Sequence, residues 1–68
     1  MKNRIRELRK NQNMTQEELA KLVNVSRQSI IAIESGKFNP SLELAYNISK
    51  IFYCSIEEVF QFKEERGI

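Results

Sequence analysis

The chain lacks the side chains on which most small catalytic or disulfide-stabilised proteins depend. Its 68 residues include no histidine and one cysteine. Without histidine and with a single thiol, it cannot assemble a Cys–His zinc site, a Cys–His nucleophile pair or a Ser–His–Asp triad. One cysteine cannot form an internal disulfide, so stability has to come from packing, which suits a reducing compartment. We therefore expect no metal, no cofactor and no enzymatic activity.

Long hydrophobic runs are absent too. No stretch is long enough to span a bilayer, and no apolar segment follows the basic residues near the N-terminus. We expect a soluble, cytoplasmic protein with no membrane partner. Repeats and linkers are also missing, so residues 1–68 are predicted to form a single domain with a small core. No separate effector domain is evident, and we expect no small-molecule effector.

Positive charge is concentrated in the first part of the chain. Residues 1–40 carry a net charge of +4, whereas residues 41–68 carry −2. Such an asymmetry fits an anionic partner at one end of the molecule. A normally solvated surface is the alternative, and charge alone favours that alternative.

Hydrophobic spacing and capping residues predict five helices. Thr15-Gln-Glu-Glu18 and Ser55-Ile-Glu-Glu58 are capping boxes that open the second and fifth helices. Asn24 and Gly36 are predicted to end the second and third helices, because both residues tolerate left-handed backbone. The expected ranges are about 4–12, 15–24, 26–35, a fourth helix from residue 41 and a short fifth from residue 55. The fold class is therefore all-α and compact.

The third helix has two contrasting faces. At 100° per residue, Ile30 and Ile33 define one face, while Gln28, Ala32 and Ser35 lie close to the opposite side. Ile31 flanks the outer side, and Arg27 and Ser29 lie between the two faces near the N-terminus of the helix. A solvated helix usually presents charged pairs, yet positions 28 to 33 carry no charge, so an ordinary amphipathic helix is the weaker alternative.

An outer face of this kind suits the major groove of DNA, which accepts one helix. Glutamine can pair bidentately with adenine and arginine with guanine, while Ala32 and Ile31 can contact thymine methyl groups. The spacing therefore predicts a helix that reads base edges.

Several blocks of sequence spaced over about residues 4–60 resemble one family. They are Ile5-Arg-Glu-Leu-Arg9, Met14-Thr-Gln-Glu-Glu-Leu-Ala20, Val25-Ser-Arg-Gln28, Ile30, Ile33-Glu34, Gly36-Lys37, Asn39-Pro-Ser-Leu42 and Ser55-Ile-Glu-Glu58. In these blocks the chain resembles the Cro/C1-type helix-turn-helix family (XRE family), the lambda-repressor-like DNA-binding domains. It looks most similar to small stand-alone repressors such as the cytolysin-operon repressor. The helix-turn-helix would span residues 15–35.

The resemblance implies roles for the matching positions. Base contacts would come from Arg27, Gln28, Ser29, Ile31 and Ala32. Phosphate contacts would come from Gln16, Ser35, Lys37, Phe38 and Asn39, together with backbone amides next to Lys37. Glu34 matches a glutamate that pairs with an arginine on the first helix, here Arg9, which would tie the reading helix to the framework. The alternative is a weak surface pair worth under about 1 kcal/mol.

Three positions depart from the family pattern. Asn24 and Tyr53 stand where glycine is common, and Cys54 stands where a buried valine is usual. The Asn24 substitution is tolerable, whereas Tyr53 is expected to alter the cap after the fourth helix. Cys54 is better explained as a small core residue than as a redox sensor.

The C-terminal end has more apolar residues than one small core obviously needs, which predicts a C2 homodimer through residues 51–66. The expected interface residues are Ile51, Ile56, Val59, Phe60 and Phe62. The alternative is that these side chains only close the monomer core. The alternation in Phe60-Gln-Phe62 also predicts a terminal strand. The resemblance to the family implies that this strand would pair with Met1-Lys2-Asn3 as a short two-stranded sheet.

The leading hypothesis is a regulator that binds double-stranded DNA, most simply a repressor that binds a palindromic operator as a homodimer. The alternative is a protein-interaction module on the same fold, an antitoxin or an adaptor, that buries the Ile31 side of the third helix against another protein.

Overall fold

The fold is known from a computed structural model, which describes residues 1–61. This part of the chain forms five α-helices, as the sequence predicted. They are α1 (Ile5–Asn11), α2 (Gln16–Leu22), α3 (Arg27–Glu34), α4 (Leu42–Ile51) and α5 (Ile56–Val59). Each helix starts within one residue of its predicted first position, and α1, α2 and α3 end within two residues of their predicted limits.

Both predicted capping boxes are present. The Thr15 hydroxyl accepts the Glu18 N–H at 3.0 Å, and the Glu18 carboxylate accepts the Thr15 N–H at 2.8 Å. Ser55 and Glu58 repeat this exchange at the start of α5, at 3.2 and 2.7 Å. These reciprocal bonds satisfy donors that the first turn of a helix leaves without partners, so two short helices begin at fixed positions.

The turns depend on left-handed backbone. Asn24 has φ 61° and Gly36 has φ 83°, which confirms the predicted ends of α2 and α3. Asn13 and Tyr53 also adopt positive φ, at 54° and 57°. Asparagine and glycine tolerate this conformation, whereas a tyrosine does so at a cost. The unusual residue after α4 therefore keeps the left-handed turn rather than changing it.

The core is formed by apolar side chains from all five helices. Ile30 and Ile33 are 0% and 1% exposed, so one face of α3 is fixed against the interior. Cys54 is half-buried and packs on the edge of this core, in agreement with its interpretation as a small core residue. The buried apolar residues are Ile5, Leu19, Ala20, Val23, Ile30, Ile33, Ala45, Ile48, Phe52, Val59 and Phe60.

The two ends of the described chain lie side by side. Asn3 and Phe60 form an antiparallel bridge, flanked by hydrogen bonds from Gln61 N–H to Lys2 O and from Arg4 N–H to Val59 O, both 2.8 Å. Within residues 1–61 the predicted two-stranded sheet is therefore a single bridge. Phe62, the rest of the predicted strand, lies outside the described residues.

Two of the predicted interface residues belong to the monomer core. Val59 is fully buried and Phe60 is 1% exposed, because α5 and the terminal bridge turn both side chains inward. Their burial in the single chain favours the alternative that these two side chains close the monomer core. Ile51 and Ile56 are half-buried and pack against the core. Phe62 again lies outside the described residues.

No helix among the described residues is long and apolar enough to cross a membrane.

Replacing Tyr53 by glycine is expected to stabilise the domain. The Tyr53 side chain is 93% exposed, so its loss removes little packing, while glycine relieves the left-handed conformation. We predict that the free energy of unfolding of Tyr53→Gly is about 1 kcal/mol higher than that of Tyr53→Ala, measured by urea denaturation at equal protein concentration. Both variants remove the phenol ring, and Tyr53→Ala keeps a Cβ, so their difference reports the left-handed backbone alone. A glycine variant no more stable than the alanine variant would contradict this account.

Candidate nucleic-acid interface

The outer side of α3 is available for contact. Gln28 and Ser35 are exposed, Ile31 is 39% exposed and Ala32 is half-buried, all opposite the buried pair of isoleucines. We call Gln28, Ile31, Ala32 and Ser35 the outer stripe. The stripe carries no charge, and only Ile31 projects a large apolar side chain from it. A helix with small or hydrogen-bonding side chains on its outer side can approach a groove closely.

At the N-terminal end of α3, the side chains of two predicted base-contacting residues, Arg27 and Ser29, differ in their availability to a ligand. Arg27 is exposed and free to extend toward a ligand. Ser29 is half-buried, and its hydroxyl lies 3.1 Å from the Ser26 hydroxyl, which itself caps α3 by accepting the Ser29 N–H at 3.1 Å. The side chain of Ser29 is therefore engaged in capping, so Arg27 and Gln28 are better placed to contact a ligand.

The loop after α3 is held by one carbonyl. Ala32 O accepts the N–H groups of Lys37 and Phe38 at 3.1 and 3.2 Å and the Ser35 hydroxyl at 3.0 Å. The amides of Lys37 and Phe38, expected to meet phosphates, are therefore used inside the protein. The exposed side chains of Lys37, Phe38 and Asn39 remain for contacts with a ligand.

A buried ion pair joins α3 to α1. Arg9 binds Glu34 through two guanidinium nitrogens, Nε to Oε2 and Nη2 to Oε1, the latter at 3.1 Å. Its Nη1 donates to Met14 O at 2.8 Å. The side chains are 10% and 1% exposed, so the alternative of a weak surface pair was wrong. A bidentate pair of this kind fixes orientation as well as distance.

Glu34 also holds α2 in place. Gln16 Nε2 donates to Glu34 Oε1 at 3.2 Å, so a single carboxylate receives hydrogen bonds from α1 and α2 while it belongs to α3. A glutamine amide has two N–H donors, which leaves one of them for a ligand. The predicted phosphate contact of Gln16 therefore starts from a fixed side chain. Arg6 Nε lies 3.8 Å from the same carboxylate and its side chain is 66% exposed.

Asn3 has a structural role that the sequence reasoning missed. Its Nδ2 donates to Ile33 O at 2.8 Å, and its Oδ1 accepts the Ile5 N–H at 3.2 Å. The side chain thus joins the last turn of α3 to the first turn of α1. An asparagine shortly before a helix is a recognisable capping signal. The hydrogen bond to Ile33 O could not be predicted in the same way, because Ile33 is 30 positions away and no local sequence pattern indicates the contact.

The ion pairs are distributed unevenly. Among residues 1–61 they involve three arginines, on or next to α1: Arg4, Arg6 and Arg9. The hydrogen bond and the charge of Glu7 raise the pKa of Arg4 above its already high ordinary value. In the same part of the chain Arg27 and Lys37 are exposed and form no ion pair. Positive charge is therefore available at both ends of the outer stripe.

Comparison with known sequences identifies the class of protein. The helix-turn-helix family HTH_3 matches residues 5–59. An uncharacterized HTH-type transcriptional regulator from Archaeoglobus fulgidus is 55% identical over 65 residues, which cover 96% of this chain and 92% of that protein. The chain therefore belongs to the Cro/C1-type helix-turn-helix family, whose members are non-enzymatic, DNA-binding transcriptional regulators.

Solved structures share the fold. The restriction-modification controller protein C.AhdI from Aeromonas hydrophila has a TM-score of 0.76 and 32% identity, over 84% of this chain and 86% of that one. The DNA-binding domain of the P22 c2 repressor has a TM-score of 0.75 and 31% identity, over 88% and 86%. These neighbours confirm the expected lambda-repressor-like architecture.

Breaking the buried pair should cost much more than breaking an exposed one. Glu34→Gln leaves the Arg9 guanidinium buried beside a neutral amide, and we predict a loss of about 3–5 kcal/mol in the free energy of unfolding. Glu7→Gln makes the same chemical change at the exposed pair with Arg4 and should have little effect. Urea denaturation of both variants measures the difference.

Because the single variant can fail to fold, a double variant tests the same claim. Arg9→Met with Glu34→Leu replaces both charges by apolar groups of similar volume and should be more stable than Glu34→Gln alone. We attribute the loss of stability in Glu34→Gln to a buried charge without a partner. A double variant less stable than Glu34→Gln would contradict this explanation, as would equal losses of stability in Glu34→Gln and Glu7→Gln.

Proposed function

We propose that this helix-turn-helix regulator is a sequence-specific repressor that binds a palindromic operator as a homodimer, with residues 26–35 in the major groove. The observation that carries the proposal is the uncharged outer stripe on a helix whose opposite face is fully buried. A rigid helix with short outer side chains can enter the groove, and its N-terminal residues then lie next to base edges.

The reading chemistry follows from the exposed side chains. Arg27 pairs with guanine O6 and N7, and Gln28 pairs with adenine N6 and N7, each through two hydrogen bonds. Ile31 and Ala32 contact thymine methyl groups. The Ser29 hydroxyl is engaged with Ser26, so we expect few hydrogen bonds from Ser29 to bases. Its small side chain instead lets α3 approach the bases closely.

Phosphate contacts position the helix without reading sequence. Gln16 offers its second amide N–H, and Lys37 offers a charge at the far end of the outer stripe. Ser35 and Asn39 supply exposed polar side chains on either side of Lys37 in sequence. The Phe38 side chain is 53% exposed, and its N–H already donates to Ala32 O. Its contact with the DNA backbone is therefore apolar and is made with a deoxyribose.

Repression is the regulatory direction that we propose. The supporting observation is the similarity to the DNA-binding domain of the P22 c2 repressor. A protein bound over a promoter excludes the polymerase from the same DNA. Such a regulator acts where genomic DNA lies, in the cytoplasm.

Dimerisation is proposed because one domain of this size contacts about half of an operator. Two reading helices about 34 Å apart would occupy successive turns of the major groove on one face. With Val59 and Phe60 assigned to the core, the remaining candidates are Ile51 and Ile56, which are half-buried. Tyr53 lies between them in sequence and is 93% exposed, so we add it to the proposed interface.

Removing a base-reading side chain should lower specificity more than affinity for random DNA. We predict that Arg27→Ala or Gln28→Ala loses about 1–3 kcal/mol of discrimination, roughly 5-fold to 150-fold, between the operator and a scrambled duplex. The measurement is equilibrium binding to both duplexes at one fixed salt concentration.

Lys21→Ala is the matched control for Arg27→Ala, since it removes one exposed positive charge from α2, away from the outer stripe. It should preserve the ratio of the two affinities. Unchanged discrimination in both Arg27→Ala and Gln28→Ala would show that α3 is not the reading helix. Absence of DNA binding at low salt, with a stoichiometric protein partner retained instead, would support the adaptor or antitoxin hypothesis.

The oligomeric state can be tested without DNA. We predict a dimer in sedimentation equilibrium at micromolar protein concentration, because the exposed aromatic side chain of Tyr53 lies in sequence between two half-buried isoleucines, Ile51 and Ile56. Tyr53→Glu should shift the equilibrium toward monomer, whereas Tyr46→Glu, on the exposed side of α4, should not. A wild-type protein that is monomeric at these concentrations would contradict the homodimer.

A further inference from the structure

Asn3 lies where both ends of the described chain meet the last turn of α3. Its side chain is half-buried, and its Nδ2 donates to Ile33 O at 2.8 Å and to Met1 O at 3.3 Å. The backbone of Asn3 forms the antiparallel bridge with Phe60, which is 1% exposed. Asn3 therefore joins the end of α3 to a segment that is itself fixed on the core.

The carbonyl that Asn3 binds is one of those that the end of a helix leaves without an intrahelical partner. Ile33 O accepts the Gly36 N–H at 3.0 Å and the Asn3 amide at 2.8 Å, so both of its lone pairs are used. The first bond closes the turn after α3, and the second ties that turn to the segment before α1. The end of α3 is thereby held through its backbone as well as through the Glu34 side chain.

The segment before α1 also lies close to the loop after α3. A Cβ on Gly36 would lie 3.4 Å from Met1 O, so the two backbones approach closely. Further along the same loop, two amides donate to Ala32 O in α3. A change in the contacts of Asn3 would therefore reach both α3 and the loop whose side chains we propose to contact phosphates.

A small change in the tilt of α3 has a large effect at its other end. With eight residues α3 is about 12 Å long, so a tilt of about 5° at Ile33 moves the first turn by about 1 Å. Hydrogen bonds need donor–acceptor distances of about 2.7–3.2 Å, and binding sites keep their geometry within about 0.5 Å. A looser end of α3 would therefore weaken the proposed contacts of Arg27 and Gln28 with bases.

We propose that Asn3 is a positioning residue for DNA recognition. Its amide fixes the orientation of α3, and thereby of the side chains that read bases, and it does so without touching DNA. The proposal rests on the proposed function, since it concerns the helix that we place in the major groove. It assigns a part in sequence discrimination to a residue outside the helix-turn-helix.

Two variants remove the amide donor and keep an oxygen that can accept the Ile5 N–H. Asn3→Asp has nearly the same shape but sets a carboxylate oxygen against Ile33 O, whereas Asn3→Ser adds no charge and keeps a capping residue. We predict that both lose about tenfold in discrimination between the operator and a scrambled duplex, the lower part of the range for one lost bidentate pair. The measurement is equilibrium binding to both duplexes at one fixed salt concentration.

The affinity of Asn3→Ser for the scrambled duplex should equal that of the wild type. Non-specific binding comes from contacts with phosphates, and a residue that only orients α3 makes none. A direct contact of Asn3 with the DNA backbone would instead weaken binding to both duplexes by the same factor.

Two matched variants control for the chemical change and for the charge. Asn47→Ser makes the same substitution at a half-buried asparagine of α4. Gln61→Glu adds one negative charge, as Asn3→Asp does, on the surface that Gln61 and Asn3 line together. Both controls should keep the wild-type ratio of affinities. Circular dichroism at the temperature of the titrations checks that every variant is folded.

The outcomes separate the role of Asn3 from the wider function. A wild-type ratio of affinities in folded Asn3→Ser would overturn the proposal and leave Asn3 as a cap of α1. Equal losses on both duplexes would overturn it also, as would a ratio lowered to the same extent in the controls. A wild-type protein that binds neither duplex, or binds both equally, would overturn the proposed function itself.

Discussion

The buried pair of Arg9 and Glu34 is the interaction on which the interface depends. Glu34 belongs to α3, yet its carboxylate receives Arg9 from α1 and Gln16 from α2. Burying two charges is expensive, and such a pair adds little net stability compared with apolar residues. What it adds here is orientation, since bidentate geometry fixes the angle between helices that are only seven and eight residues long. Short helices pack few apolar side chains and need such a directional tie.

The hydrogen bonds of the Glu34 carboxylate also link the residues proposed to contact bases with those proposed to contact phosphates. The side chain of Gln16 is fixed by the carboxylate at the end of α3, so the proposed phosphate contact of α2 and the proposed base contacts of α3 are held in one rigid arrangement. Ala32 extends this arrangement into the next loop, because its carbonyl holds Lys37, Phe38 and the Ser35 hydroxyl. The inner face of α3 is packed, its last turn is tied to Asn3, and the outer stripe is left free. Rigidity of this kind lowers the entropy lost when a protein binds DNA.

Local chemistry explains which features could be predicted from the sequence. Three kinds of feature depend only on residues within one or two turns of the chain, and the structure has each of them. They are the capping boxes at Thr15 and Ser55, the left-handed positions at Asn24 and Gly36, and the two faces of α3. Features that depend on distant partners were harder to predict. Phe60 lies in an alternating segment that predicted a terminal strand, and only the bridge to Asn3 shows that its side chain is turned into the core. Family resemblance supplied the partner of Glu34, but burial of the pair became visible only when three helices were placed together.

Selection of bound duplexes from a random pool can test the claim that α3 of this regulator reads a defined DNA sequence. We expect an enriched site made of two symmetric half-sites whose centres lie one helical turn apart, about 10–10.5 base pairs. Guanine and adenine should be fixed within each half-site, as Arg27 and Gln28 require. Recovery of sequences with no common site, at a salt concentration where binding persists, would contradict the claim.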